Sequence, residues 1–311
     1  MEKAKHLYHF LLRLSSCFAH IKFKSNSEKF SKTPNVWNER LKSKAKADII
    51  APRYKRRRVM AKLIAIANQK GGVGKTTTCV NLCAALSLMD KNVLLVDCDP
   101  QGNASSGMGV SKSQRPNTYD MLINGAKSAD CVVHTDYGDV IPASKELAAA
   151  SVELIETEER EYVLKKALDT ISSNYDYIFM DCPPSLELLT VNSLVAADTV
   201  LIPMQCEYYA LEGIADLMTS IKMCSRRLNR KLGIEGIVLT MYDSRANLTI
   251  QVANELRRYL SDKVYETVIP RSVRLSEAPS HGLPGVVYDR INRGSKAYMA
   301  LAVEFIARSE K

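Results

Sequence analysis

Asn68-Gln69-Lys70-Gly71-Gly72-Val73-Gly74-Lys75-Thr76-Thr77-Thr78 is the stretch whose reading decides the fold. It follows Leu63-Ile64-Ala65-Ile66-Ala67, an apolar run that reads as a short buried strand. It leads into Val80-Asn81-Leu82-Cys83-Ala84-Ala85-Leu86, which reads as a helix. Strand, glycine loop and helix in that order make a phosphate-binding loop. The glycines let backbone N–H groups converge on an anion and the helix N-terminus adds its positive end. Lys75 can reach terminal phosphates, and Thr76 can offer its hydroxyl to Mg²⁺. The usual pattern also places a glycine at position 69, where this chain has Gln69, and the loop carries a second lysine, Lys70.

Outward from the loop, the chain alternates short apolar runs with helical patterns. Strands are expected at Leu63–Ala67, Val93–Asp97, Val140–Pro142, Tyr177–Asp181, Val200–Pro203, Ile234–Thr240 and Val264–Ile269, and helices near 75–89, 145–170, 186–196, 210–228, 248–260 and 295–308. That alternation predicts an α/β fold, a mainly parallel doubly wound sheet flanked by helices. Ligands bind such sheets at the carboxyl ends of the strands.

Two further motifs fall at those ends. In Val93-Leu94-Leu95-Val96-Asp97-Cys98-Asp99-Pro100-Gln101-Gly102-Asn103 four apolar residues precede a pair of carboxylates. A carboxylate there can orient the water that attacks a γ-phosphate, or hold Mg²⁺ through water. An Asp that merely caps the next loop is the plainer alternative. In Tyr177-Ile178-Phe179-Met180-Asp181-Cys182-Pro183-Pro184-Ser185 another apolar strand ends in a carboxylate, placed to help hold Mg²⁺, and two prolines fix the turn after it.

Composition separates the chain into two parts. Residues 1–59 hold sixteen Lys and Arg against four Asp and Glu, a charge of +12, which leaves −3 of the chain's +9 for residues 60–311. The basic balance therefore belongs to the first fifth of the chain, and any anion-binding surface on the body has to be a local patch. The segment His6–Leu14 reads as a short amphipathic helix; a signal-peptide core is the other reading, but Arg13 interrupts it. The polar stretch from Lys22 to Arg58 is read as disordered, and its Lys55-Arg56-Arg57-Arg58 cluster suits DNA or anionic lipid. The bland alternative makes Met60 the natural start, since it stands just before the first strand. Eight cysteines include no CxxC pair and no histidine cluster near them, which argues against a zinc or iron–sulfur site and fits reduced thiols in a cytoplasm. No run of about eighteen apolar residues is present.

The Lys70–Thr77 loop, Asp97–Asn103, Asp181–Ser185, Gln205–Gly213 and Ile269–Ser280 together resemble the ParA/Soj family of chromosome or plasmid partition ATPases, of the deviant Walker A class of P-loop NTPases. The likeness covers essentially all of residues 60–311 and none of 1–59. It implies an ATPase with slow intrinsic turnover, using ATP and Mg²⁺, in which two subunits close over two nucleotides. In such a homodimer Lys70 crosses to the partner's phosphates and acts in catalysis as an arginine finger does. It also implies that Gly71, Gly72, Val73, Gly74, Lys75, Thr76, Thr77 and Pro270 bind the nucleotide. Asp99 positions the water, and Thr76 and Asp181 serve the metal. The partners implied are non-specific double-stranded DNA, through Arg245 and Arg274, and a ParB-type centromere-binding protein that speeds hydrolysis. The location implied is cytoplasmic and nucleoid-associated.

Each assignment has a duller competitor. Arg245 and Arg274 can be solvated arginines, and Arg226, Arg227, Arg230, Lys231, Arg257 and Arg258 an ordinary charged helix face. Cys79 and Cys83 fit packing of their helix on the sheet, and His281 an ordinary turn. Among rival functions, a MinD-like membrane-associated ATPase requires a basic amphipathic C-terminal helix, whereas Ala297–Lys311 reads as a packing helix. A reductase of the nitrogenase iron-protein type requires cluster-ligand cysteines. A DNA-binding regulator that uses ATP only as a ligand has no need of Asp99.

Overall fold

The computed structural model describes residues 60–207 and 210–309. The expectations for residues 1–59 lie outside these described residues. In chain order, β1 (Lys62–Ile66) leads through the phosphate loop into α1 (Lys75–Ser87), and β2 (Val93–Asp97) follows. Next come α2 (Asn103–Gly107), α3 (Thr118–Leu122) and the hairpin β3 (Val133–Thr135) and β4 (Gly138–Ile141). After α4 (Leu147–Glu153) and α5 (Val163–Asp169) come β5 (Tyr177–Asp181), α6 (Leu188–Ala196), β6 (Thr199–Gln205), α7 (Ala210–Arg227) and β7 (Gly233–Thr240). The chain closes with α8 (Asn247–Tyr259), α9 (Val273–Glu277), α10 (Gly285–Tyr288) and α11 (Arg293–Ser309).

Among the described residues these strands form one sheet in the order β3-β4-β2-β5-β1-β6-β7. All pairs are parallel except the antiparallel β3–β4 edge. Period-two alternation divides the apolar residues between two cores. Leu63, Ala65, Leu94 and Val96 face the layer of α3 to α8, while Ile64, Ile66 and Leu95 face α1 and α11. The sheet is thus covered on both faces, and the ends of β1, β2 and β5 lie side by side: Ile66 and Asp97 each stand opposite Asp181. Pro203 sits in β6 beyond the last β1 partner, so its missing N–H breaks no ladder bond on that side, and its carbonyl is free for another use.

Three expectations need correction. Val264–Ile269 is not a strand. Its ends do bond to β7, Tyr265 N–H to Ile237 O at 2.9 Å and Ile269 N–H to Leu239 O at 2.8 Å. Between them the Glu266 and Thr267 N–H groups donate to the Glu304 carboxylate on α11, each at 2.9 Å. A side chain has replaced the ladder. The expected helix over 145–170 is two short helices, because Thr157 is extended and Glu159 takes a left-handed φ of 51°. The break is sealed by Asn192, which accepts the Leu164 N–H at 3.1 Å and donates to Arg160 O at 2.8 Å. The strand Val133–Thr135 has no counterpart among the expected strands; it is three residues long and depends on its hairpin with β4.

Glu304 satisfies two backbone donors and also pairs with Arg308 at 2.7 Å. Glu304→Ala should lower unfolding free energy by about 1–3 kcal/mol, the cost of leaving such donors unmade. Denaturant unfolding reads this as a lower midpoint at unchanged slope.

Candidate functional site

The phosphate loop is held open by glycine geometry. Gly72 and Gly74 lie at φ 73° and 86°, conformations that other residues resist. A Cβ on Gly71 or Gly72 would meet nothing within 4 Å, so space above the loop is open to a ligand that approaches the backbone closely. Neighbouring elements clamp the loop. Asn68 Nδ2 donates to Pro203 O at 2.8 Å while its Oδ1 accepts the Lys70 N–H at 3.0 Å. On the other side, Thr240 Oγ1 at the end of β7 donates to Val73 O at 2.7 Å.

The two lysines go different ways. Lys75 is buried, with Nζ donating to Lys70 O at 3.3 Å. Desolvation lowers its pKa, partly opposed by Asp181 and Asp99. An anion placed in the loop would oppose that shift. Lys70 stays 40% exposed, and its ammonium pairs with Glu207 beyond β6.

Beneath the loop lie carboxylates. Thr76 Oγ1 donates to Asp181 Oδ2 at 2.7 Å, and Asp181 Oδ1 is buried without a partner. Burial, then the nearby Asp97, pushes the Asp181 carboxyl well above its usual range. An orphaned carboxylate oxygen beside a threonine hydroxyl and an open anion cradle is the donor set Mg²⁺ uses with phosphates, one or two protein oxygens completed by substrate. The residues present fit that ion.

Asp97 and Asp99 both stand at the carboxyl end of β2, as expected, but differ in burial. Asp97 is fully buried. Its Oδ2 accepts from Ser105 N at 2.8 Å and Ser105 Oγ at 2.6 Å, and its Oδ1 from Asp99 N at 3.2 Å. Burial raises it to about 6 even against these bonds. Asp99 is half-buried and its Oδ1 accepts the Gln101 N–H at 2.9 Å, so it keeps acceptor capacity for a water. Thr77 and Thr76 open onto a cavity of about 440 Å³ lined also by Asn103, Lys112 and Ser276. Pro270 lies at the edge of the sheet, bridged to Tyr242 just beyond β7.

Arg245 and Arg274 sit on the surface, away from the loop's bonding network, and both are already answered. Arg245 is held in bidentate fashion by Asp243, both contacts at 3.0 Å, and Arg274 contacts Glu277 at 2.9 Å and Asp289 at 3.5 Å. His281 stacks on Tyr288 in a turn. The seven described cysteines, Cys79 and Cys83 among them, are buried. Sequence reasoning assigned no role to Asn68, Ser105, Glu207 or Thr240. Asn68 and Glu207 stand inside the motifs that were singled out, but nothing in a sequence says which backbone a polar side chain will reach.

Comparison with known proteins agrees with this geometry. An AAA domain family model matches residues 61–234. The sporulation initiation inhibitor protein Soj of Bacillus subtilis (strain 168) is 55% identical over 251 residues, 80% of this chain and 99% of that protein. The chromosome partitioning protein ParA of Caulobacter vibrioides (strain NA1000 / CB15N) is 51% identical over 252 residues, 79% of this chain and 94% of that one. Among solved structures, the septum site-determining protein MinD complexed with Mg-ADP from Pyrococcus horikoshii OT3 superposes with a TM-score of 0.67 at 26% identity, covering 79% of this chain and 96% of the other. The chain belongs to the ParA/Soj family of partition ATPases, with an AAA domain over residues 61–234.

Proposed function

We propose that this protein is an ATP-switched DNA-partitioning ATPase whose residues 60–311 form the ATPase domain. In this reading the ATP-bound form is a homodimer that holds DNA without sequence preference, and slow hydrolysis, stimulated by a ParB-type centromere-binding partner, releases it. It works in the cytoplasm on the nucleoid. The observation that carries this reading is the split between the two loop lysines. Lys75 is buried in the loop, whereas Lys70 keeps 40% of its side chain exposed and pairs with Glu207. A cation in that position serves a phosphate presented from outside, as the partner subunit's nucleotide would be.

The chain's own groups divide the chemistry. Gly71 to Thr77 present N–H donors to the phosphates, and Lys75 neutralises the β- and γ-phosphates. Pro270 borders the nucleotide. Thr76 and Asp181 would hold Mg²⁺, which when bound would offset charge on the phosphoryl group being transferred. Asp99 accepts a hydrogen bond from the attacking water and orients it in line. Lys70 from the second subunit stabilises charge on the leaving phosphates. Arg245 and Arg274 must exchange their own carboxylates for DNA phosphates, which makes the affinity salt-dependent and sequence-blind.

The membrane-associated alternative meets an obstacle in α11. Tyr298, Leu301, Ala302 and Phe305 of that helix are buried in the core, so its apolar face is not available to lie on a bilayer. Among the described residues no helix is long and apolar enough to cross a membrane.

Asp99→Ala should cut single-turnover hydrolysis on the order of 10²-fold or more while ATP binding persists, trapping a DNA-bound dimer; normal hydrolysis would remove Asp99 from this role. Lys70→Ala should leave ADP binding intact and abolish ATP-dependent dimerisation in light scattering. Arg245→Glu with Arg274→Glu should abolish ATP-dependent DNA retention without affecting dimerisation. Comparing ATP with ADP in the full chain and in a chain beginning at Met60 separates this from the attraction of the +12 segment. Because burial raises the Asp181 carboxyl, a proton competes with Mg²⁺ for it. Calorimetric Mg²⁺ affinity in the presence of ADP should therefore tighten as pH rises, a trend that Asp181→Asn should flatten.

A further inference from the structure

We infer that Asp97 is a positioning residue for hydrolysis, fixing the direction of the Asp99 carboxylate through Ser105 and the Asp99 backbone. This rests on the reading of Asp99 as the water-orienting group.

The observation is that one buried carboxylate holds both ends of the segment that displays Asp99. Oδ1 takes the Asp99 N–H, at the segment's start. Oδ2 takes the N–H and hydroxyl of Ser105, in the first turn of α2, at its finish. Between these anchors the chain turns on itself, with Gly102 N–H donating to Asp99 O at 2.9 Å and Gly102 at φ 62°. The Asp99 side chain is therefore carried on a closed loop whose two feet share one carboxylate. The anchor is itself tied to the segment after β4 and to the start of α3. Ser105 Oγ accepts the Ala143 N–H at 3.0 Å, and Thr118 Oγ1 donates to Asp97 O at 2.9 Å.

The choice of a carboxylate is informative because it is an expensive one. Asp97 is fully buried and stands opposite a second buried carboxylate, Asp181, in the β2–β5 register. Removing a charge from water is unfavourable unless several donors compensate. Asparagine would avoid the charge, but it has one acceptor oxygen, and its NH₂ would face either the Ser105 donors or the Asp99 N–H, donor against donor. Only a carboxylate accepts all three bonds. Loosening either foot lets Asp99 swing, and displacement of a catalytic group by about 1 Å costs on the order of 10²-fold in rate.

The test uses the full chain. Asp97→Asn should lower single-turnover hydrolysis on the order of 10²-fold, and Ser105→Ala, a milder change that removes one of three bonds, on the order of 10-fold. In both, the affinity for Mg·ADP and the KM for ATP should stay within about threefold of the wild type, whereas trapping of ADP with aluminium fluoride, which needs the in-line water site assembled, should weaken along with the rate. Ser105→Thr, which restores the hydroxyl, should recover more of the rate than Ser105→Ala. Wild-type rates in a folded Ser105→Ala and Asp97→Asn would overturn the inference. So would losses of Mg·ADP affinity and melting temperature that parallel the loss of rate, since these mark a purely structural residue. If Asp99→Ala itself hydrolyses ATP normally, the underlying reading fails instead, so the two failures are distinguishable.

Discussion

Two carboxylates held side by side under a glycine loop, Asp97 and Asp181, are the constraint around which this molecule is arranged. Parallel strands bring their carboxyl ends to one edge of a sheet, and the registers of β1, β2 and β5 place both side chains there without solvent. Burial disfavours the ionised form of each and raises both carboxyls, and Asp97 adds to the rise at Asp181. Asp97 is compensated by three donors. Asp181 is compensated on one oxygen only, by Thr76, and its other oxygen is unanswered. A buried polar atom without a partner is uncommon in native structures and calls for an explanation, an ion being among the commonest. In the function proposed above, that oxygen is the one Asp181 would offer to Mg²⁺.

The loop above that pair is equally dependent on its surroundings. Each of its clamps comes from a different element: Pro203 from β6, Thr240 from β7 and Asp181 from β5. The helix it opens into is fixed from the far side, with Thr78 Oγ1 and Tyr298 OH 3.1 Å apart and Asn81 Oδ1 accepting the Val286 N–H at 3.0 Å. Any ligand that alters the loop is therefore coupled to the ends of three strands and to α10 and α11, and these contiguous contacts are the kind of route by which occupancy of a small site reaches a distant surface. Arg274, on α9, sits beside that same α10 and α11 neighbourhood through its contact with Asp289.

Much of this was legible in the sequence, and the reason differs from element to element. Strands buried on both faces announce themselves as continuous apolar runs, so β1, β2 and β5 were readable. The glycine loop was readable because its residue types are demanded by backbone conformation. The segment after Tyr265 was misread because its composition is that of a strand, while its fate was decided by Glu304, nearly forty positions away. The long helix expected over 145–170 failed at Glu159, whose left-handed backbone no propensity announces. Within the site, motif spacing identified a carboxylate pair but not the division of labour in it. That division depends on Ser105, which looks like any other serine until Asp97 is seen to be buried against it.

The two lysines of the loop show why such distinctions matter for function. A lysine surrounded by protein loses hydration, and burial lowers the Lys75 pKa from its ordinary value, with Asp181 the first group to oppose the shift. Lys70 keeps nearly half of its side chain in water and has a carboxylate, Glu207, to lean on. An exposed ion pair of this kind contributes little, ~0–1 kcal/mol, and is readily exchanged for a stronger partner. In the proposed dimer a terminal phosphate, more highly charged than a carboxylate, is such a partner. The same short loop thus carries one buried cation and one partly exposed, weakly held cation, a difference that arises from burial.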